Sequence, residues 1–333
     1  MISKNSSVGV IGGGSWATAL VKILTNNVDT VHWWMRNKDS VEFLKQYQRN
    51  PRYLSSVKFD ADRISVTTDL QSVIDKSEIL VMVHPSAFLY DLFKDSPSDL
   101  LKGKILFTSI KGIVPEVHSI PARYFHKKFN IPYDNIGMIS GPCHAEEVAM
   151  EKLSYLTIAC PDEEKSEVIA KLLTCRYIKT STSDDLFGTE MCAVLKNIYA
   201  IAAGICNGLG YGDNFQALLI SNAIREAERF IDAVSPTHRD VKSSAYLGDL
   251  LVTAYSQFSR NRNFGSMVGK GYSVRSAQIE MNMVAEGYYA IESIVEINKK
   301  YNVKIPIIDA TYRICYEKVA PFIEMEILTD KLN

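Results

Sequence analysis

Paired cysteines, metal-ligand spacings, an address label and a strong net charge are all missing from this chain, and each absence removes a class of function. The six cysteines, Cys143, Cys160, Cys175, Cys192, Cys206 and Cys315, include no C-x-x-C pair. They read as small buried residues kept reduced, not as a disulfide or zinc framework. The histidines His32, His84, His118, His126, His144 and His238 form no H-x-x-x-H pair, so no structural metal is expected. A formal charge of -1 gives no general attraction to nucleic acid or to an anionic membrane. Only Met1 to Ser7 precede the first apolar run, too few for a charged region, an apolar core and a cleavage site. No apolar run approaches the ~20 residues that cross a bilayer, because the best one is interrupted by Lys196 and Asn197. A cytoplasmic protein with no integral membrane contact is the expectation.

What is present is ordinary globular composition, 47% hydrophobic and 23% charged over 333 residues, which is enough chain for two domains. Val8 to Ile11 reads as a buried strand. It runs into Gly12-Gly13-Gly14-Ser15-Trp16-Ala17 and then the helical pattern Ala19, Leu20, Ile23, Leu24. A strand, a G-x-G-x-x-A turn and a helix in that order form the dinucleotide fingerprint, in which glycines let backbone N–H groups approach a pyrophosphate at a helix N-terminus. The next strand, Thr30 to Met35, ends where NAD-selective sites place an acidic residue on the ribose 2′-OH. Arg36 and Asn37 stand there instead. The arginine favours NADPH over NADH through a 2′-phosphate, and it could equally stack on adenine or face water.

Further strands are expected at 64–68, 79–83, 104–109, 136–139, 154–160 and 177–180, separated by helical or polar segments. This alternation implies a mostly parallel sheet covered on both faces, with ligands beyond its C-terminal strand ends. Lys111 follows one such strand and is either a partner for an anionic substrate or an exposed loop lysine. Gly141-Pro142 marks a turn beyond another. The alternation stops after Ser183. The fold class expected is therefore an α/β Rossmann-type domain over 1–183 followed by an all-α domain over 184–333.

The all-α half is organised around Met191 to Ile205, apolar on every face except at Lys196 and Asn197. A helix without a polar side is a core helix. A lysine within it either snorkels to water or is desolvated, and desolvation can lower its pKa by ~3–5 units toward that of a proton donor and acceptor near neutrality. Asp249 and Thr253 at i, i+4 share a helical face and can meet one small ligand. Ser259-Arg260-Asn261-Arg262-Asn263 gathers donors near glycine, as suits a phosphate or simply a solvated basic loop.

Taken together, VGVIGGGSWATAL, TSIKG, SGPCHAEEVA, VLKNIYAIAAGICNGLGYGDN, LGDLLVT, SRNRNFG and VAEG resemble the bacterial-type NAD(P)-dependent glycerol-3-phosphate dehydrogenases over nearly the whole chain. The resemblance implies interconversion of dihydroxyacetone phosphate and sn-glycerol 3-phosphate by hydride transfer, supplying glycerophospholipid synthesis. It implies Lys196 as the catalytic lysine, with Asp249, Thr253, Lys111 and Asn197 as its partners. It places Gly12, Gly14, Ser15, Trp16, Arg36, Lys111, Ala145, Arg260, Val284 and Glu286 at the cofactor. Lys111, Gly141, Cys143, Lys196, Asp249, Ser259, Arg260 and Asn261 fall at the substrate. Cys143 and His144 depart from the family, which has Ser or Thr and then an aromatic at these positions, so Cys143 is expected to offer its backbone N–H more than its thiol. A homodimer suits the family. Two rival readings are a related two-domain dehydrogenase acting on a 3-hydroxy acid or sugar acid, and a regulatory protein that binds NAD(P) without turnover.

Overall fold

The structure, a computed structural model, describes residues 6–281 and 284–333. Met1 to Asn5, on which the expectation of no leader partly rests, lie outside the described residues. The chain divides into two compact units, one running through Ile110 and again over Pro121–Leu186, the other comprising Lys111–Ile120 and Phe187–Asn333. This corrects the contiguous division at Ser183, because Lys111–Ile120 sits with the helices although it follows a strand of the sheet.

The first unit is built on eight strands: β1 Val8–Ile11, β2 Val31–Trp34, β3 Ile64–Thr67, β4 Ile79–Met82, β5 Ile105–Thr108, β6 Ile136–Ser140, β7 Ser154–Ala159 and β8 Ile178–Ser183. Their spatial order is β3-β2-β1-β4-β5-β6-β7-β8, and every pairing is parallel except that of β6 with β7. The central strands read as unbroken apolar runs because both faces are covered. The order reverses between β1 and β4, where doubly wound sheets bind their ligands. The helices of this unit are α1 Ser15–Leu24, α2 Lys38–Tyr47, α3 Leu70–Asp75, α4 Leu89–Phe93, α5 Pro121–Phe129, α6 Ala145–Ala149 and α7 Glu163–Leu173. The expected Rossmann-type sheet is present.

The second unit is helical throughout: α8 Leu186–Gly208, α9 Asp213–Val234, α10 Asp249–Tyr255, α11 Arg260–Gly269, α12 Val274–Glu280, α13 Glu286–Tyr301, α14 Pro306–Cys315 and α15 Pro321–Thr329. Its core gathers around α8, with Leu195, Ile198, Ile201 and Ile205 packed among Ile220, Phe230, Phe264 and Ile291. At 23 residues, α8 is long and apolar enough to cross a bilayer, which corrects the reading that Lys196 and Asn197 break it too early. It is nonetheless 89% buried over its most apolar window, as a core helix is. Two close approaches fix its neighbours. A Cβ on Gly204 would lie 2.1 Å from the Arg262 carbonyl oxygen, and one on Gly265 2.1 Å from that of Ile201, so α8 and α11 meet backbone to backbone. Buried Glu226 of α9 ties α14 down by accepting the N–H groups of Ile307 (2.9 Å) and Ile308 (3.1 Å) at its N-terminus.

Candidate active site

In the sheet unit the glycine turn is held from behind. Gly12 has φ +145°, and a Cβ there would lie 2.6 Å from the Val83 carbonyl oxygen, so a side chain would push β1 away from the end of β4. Gly14 precedes the first turn of α1, and a side chain on it would meet nothing within 4 Å. The surface over the N-terminus of α1 is therefore open to a ligand, where the positive end of the helix dipole favours an anion. All three turn carbonyls are engaged: Trp33 Nε1 donates to Gly12 O (2.6 Å), Asn50 Nδ2 to Gly13 O (3.2 Å) and Thr18 Oγ1 to Gly14 O (2.9 Å). The turn thus offers donors, as a pyrophosphate requires. Trp33 and buried Asn50 escaped sequence reasoning, because no local pattern links them to the turn they hold.

Ser15 opens α1. Trp16 Nε1 donates to Ser109 Oγ (2.6 Å), whose hydroxyl donates on to Ile139 O (2.8 Å), tying α1 to the ends of β5 and β6. Arg36 is exposed beyond β2 with its guanidinium 5.7 Å from the centre of the Phe88 ring. Asn37 is used to cap α2, its side chain accepting from Ser40 N at 2.8 Å. Gly141 has φ +120° and packs against Tyr155 O, Cys143 is buried with the core of this unit, and Ala145 begins α6, which packs on α1. These cofactor candidates surround the carboxyl ends of the strands.

The helical unit holds the charged cluster. Lys196, near the middle of α8, is 3% exposed and does not snorkel to water. Its ammonium is ion-paired with Asp249 Oδ1, and Lys111 Nζ lies 3.4 Å from Asp249 Oδ2. Asp249 is the first residue of α10, entered through a single π-helical turn, Ser244–Gly248. Such turns recur at functional sites, and the α10 N-terminus favours a carboxylate. Burial lowers Lys196 to about 7, with Asp249 pulling upward and Lys111 pushing further down. Burial alone would raise Asp249, but Lys111 and Lys196 hold it below the ordinary carboxylate value. Asn197 Nδ2 donates to the Lys111 carbonyl (2.7 Å), and Thr253 Oγ1 donates to the Asp249 carbonyl (2.6 Å). Both serve the partners of Lys196 and hold them by their main chains. The family resemblance makes both of them partners of Lys196.

The remaining donors lie nearby in the fold of the same unit. Ser259 caps α11 by accepting from Arg262 N, and Arg260, the first residue of that helix, is exposed with Nη1 3.3 Å from Val284 O. Asn261 Oδ1 accepts from Gly287 N (2.9 Å), and a Cβ on Gly287 would lie 2.6 Å from Asn197 O. Gly287, which the sequence reading did not single out, therefore lets the start of α13 approach α8 and α11 closely.

A dinucleotide turn in one unit and a buried lysine–carboxylate pair in the other define a class, the two-domain nicotinamide-dependent dehydrogenases. Residues 7–166 match the family model for the N-terminus of NAD-dependent glycerol-3-phosphate dehydrogenase, and residues 185–325 match that for its C-terminus. The chain is 34% identical to glycerol-3-phosphate dehydrogenase [NAD(P)+] of Staphylococcus carnosus over 94% of its own length and 95% of the relative's. It is 33% identical to the enzyme of that name from Agathobacter rectalis, over 94% and 92%. Among solved structures, glycerol-3-phosphate dehydrogenase from Coxiella burnetii superposes with a TM-score of 0.90 at 26% identity, covering 98% of this chain and 99% of that one. The chain belongs to the NAD-dependent glycerol-3-phosphate dehydrogenase family.

Proposed function

We propose that the chain interconverts dihydroxyacetone phosphate and sn-glycerol 3-phosphate with NADPH or NADH, and that Lys196 is the proton donor and acceptor. The observation that carries this reading is the buried Lys196–Asp249–Lys111 group. The cradle at Gly12 and Gly14 fits a dinucleotide, which Ser15, Trp16 and Arg36 of the sheet unit would hold; Val284, Glu286 and Arg260 are cofactor residues on the family resemblance. The nicotinamide supplies or receives the hydride. Negative charge growing on the carbonyl oxygen is met by the Lys196 ammonium, which then gives up its proton, a step typically worth ~10²–10⁴ in rate. Asp249 keeps Lys196 charged and oriented, while Lys111, held through its carbonyl by Asn197, adds a second positive charge. Arg260 with Ser259 and Asn261 at the N-terminus of α11 anchors the phosphate, and anchoring a remote group positions the reacting carbon. Arg36, in place of an acid, favours NADPH. Gly141 and the Cys143 backbone complete the substrate set on the same proposal, which also includes a cytoplasmic homodimer feeding glycerophospholipid synthesis.

The test is the loss of NADPH and NADH absorbance when dihydroxyacetone phosphate is added to the purified protein, with Lys196→Ala in parallel. Rapid oxidation by the wild type and its near-complete loss in a variant that still binds NADPH is the expected result. A variant retaining the wild-type rate would remove Lys196 from the chemistry.

A further inference from the structure

His84 belongs to the sheet unit, and nothing in the mechanism above uses it. It stands just past β4, beside β1, at the point where the strand order reverses. Ligands of doubly wound sheets lie over that point. A Cβ on Gly12 would lie 3.4 Å from His84 N, so the histidine borders the glycine turn itself. Its ring is 6.2 Å from that of Trp34 at the end of β2 and 6.0 Å from that of Phe88. The Arg36 guanidinium lies 5.7 Å from the same Phe88 ring. An imidazole and a guanidinium therefore flank one aromatic ring at the carboxyl ends of β1, β2 and β4.

One hydrogen bond fixes the chemistry of the imidazole. Its Nδ1 lies 3.1 Å from the Pro85 carbonyl oxygen. A carbonyl only accepts, so Nδ1 carries the proton, which makes Nε2 an acceptor in the neutral ring and a donor in the imidazolium. We propose that His84 and Arg36 together read the ribose 2′ position of the cofactor, His84 accepting from the 2′-hydroxyl of NADH when neutral and binding the 2′-phosphate of NADPH when protonated. A neutral His84 thereby takes the part that an acidic residue plays in NAD-selective sites. The inference rests on the dinucleotide-binding reading of the sheet unit and is independent of which ketone is reduced.

Burial lowers His84 below its ordinary value, the Pro85 carbonyl opposes this, and Arg36 lowers it further. The ring is therefore neutral at physiological pH and charges on the acid side of the ordinary histidine range. Arg36 is the charged group that bears on it, while Gly12 after β1, Trp34 of β2 and Phe88 beside α4 bring no titrating side chain.

The experiment is equilibrium binding of NADPH and of NADH, followed by fluorescence without any ketone, for wild type, His84→Val and His84→Gln between about pH 5 and 8, a range spanning histidine titration. The wild-type preference for NADPH should exceed that of both variants by roughly tenfold at the acid end, the scale of a charge-assisted hydrogen bond, and should fall below that of His84→Val toward the alkaline end, where the neutral ring accepts from the 2′-hydroxyl of NADH. The 2′-phosphate of free NADPH titrates identically against all three proteins. Calorimetry in two buffers should show proton uptake when wild type binds NADPH near pH ~6, in excess of that in His84→Val. A preference that runs parallel in wild type and both variants at every pH, or equal proton uptake, overturns the role of His84. Failure of wild type to bind either nucleotide would overturn the dinucleotide reading beneath it.

Discussion

Replacing Asp249 by asparagine removes one negative charge from between two ammonium groups while leaving the packing nearly unchanged. In the wild type the carboxylate pairs with Lys196 and lies 3.4 Å from Lys111, and Lys196 stands at about 7. An attraction between unit charges ~4 Å apart is worth ~4 kcal/mol at an effective dielectric of ~20, equivalent to about three pH units of titration. Without it, and with Lys111 still repelling, Lys196 becomes neutral across the physiological range. On the proposed mechanism ketone reduction needs the ammonium as proton donor, so kcat/KM should fall above about 7 in the wild type. In Asp249→Asn that limb should move to about pH 4 to 5, with a deficit near neutrality on the order of 10²–10³. Removing one partner of a buried pair costs ~3–5 kcal/mol, less here because Lys196 can shed its proton. The assay is kcat/KM for dihydroxyacetone phosphate against pH at saturating NADPH, with urea unfolding to verify the fold and Asp249→Glu to test recovery. A limb that stays put while the rate falls equally at all pH values would refute the electrostatic argument and leave Asp249 a packing role.

Two further perturbations probe other parts of the molecule. Arg260→Ala should raise KM for dihydroxyacetone phosphate far more than KM for unphosphorylated dihydroxyacetone, and equal changes would exclude the phosphate anchor. Burial raises Glu226 from 4.5 to about 8 even though the N–H groups of Ile307 and Ile308 oppose the rise. A folded state that binds this proton more tightly than the unfolded chain has its stabilisation complete below 4.5 and loses it as pH rises through about 8. Glu226→Gln should therefore flatten the fall in unfolding free energy across that window, and an unchanged slope in urea titrations would clear Glu226 of it.

The legible parts of this molecule are those written in short-range patterns. The eight strands and the glycine turn announce themselves through apolar runs and a motif within a few residues, and α8 through the absence of a polar face. What stayed hidden depends on chain segments far apart in sequence. Asn50 and Trp33 reach back to the turn, Lys111–Ile120 leaves the sheet to pack with the helices, and β7 runs against its neighbour β6. Lys196 and Asp249 were each visible as candidates, but only the family resemblance joined them, since nothing in a local window records the angle at which α8 and α10 meet. Asn197 and Thr253 were visible as members of the group, but the carbonyls they hold, those of Lys111 and Asp249, were not. A side-chain amide carries the same letter whether it serves a lysine head or a lysine carbonyl.

The glycine seam between α8 and α11 sets a length as well as a packing. Lys196 projects from α8, and Arg260 opens α11. Because the two main chains touch at Gly204 and Gly265, the separation of the Lys196 and Arg260 main chains is fixed by backbone against backbone. The seam acts as a calliper. On the proposed mechanism a three-carbon ketone held by its phosphate presents its carbonyl to the ammonium, whereas a shorter or longer homologue presents the wrong atom. Chain-length selection on that mechanism would arise in the scaffold, about two helical turns from Lys196, and a methyl group added at the seam would alter which substrate fits before it altered the chemistry.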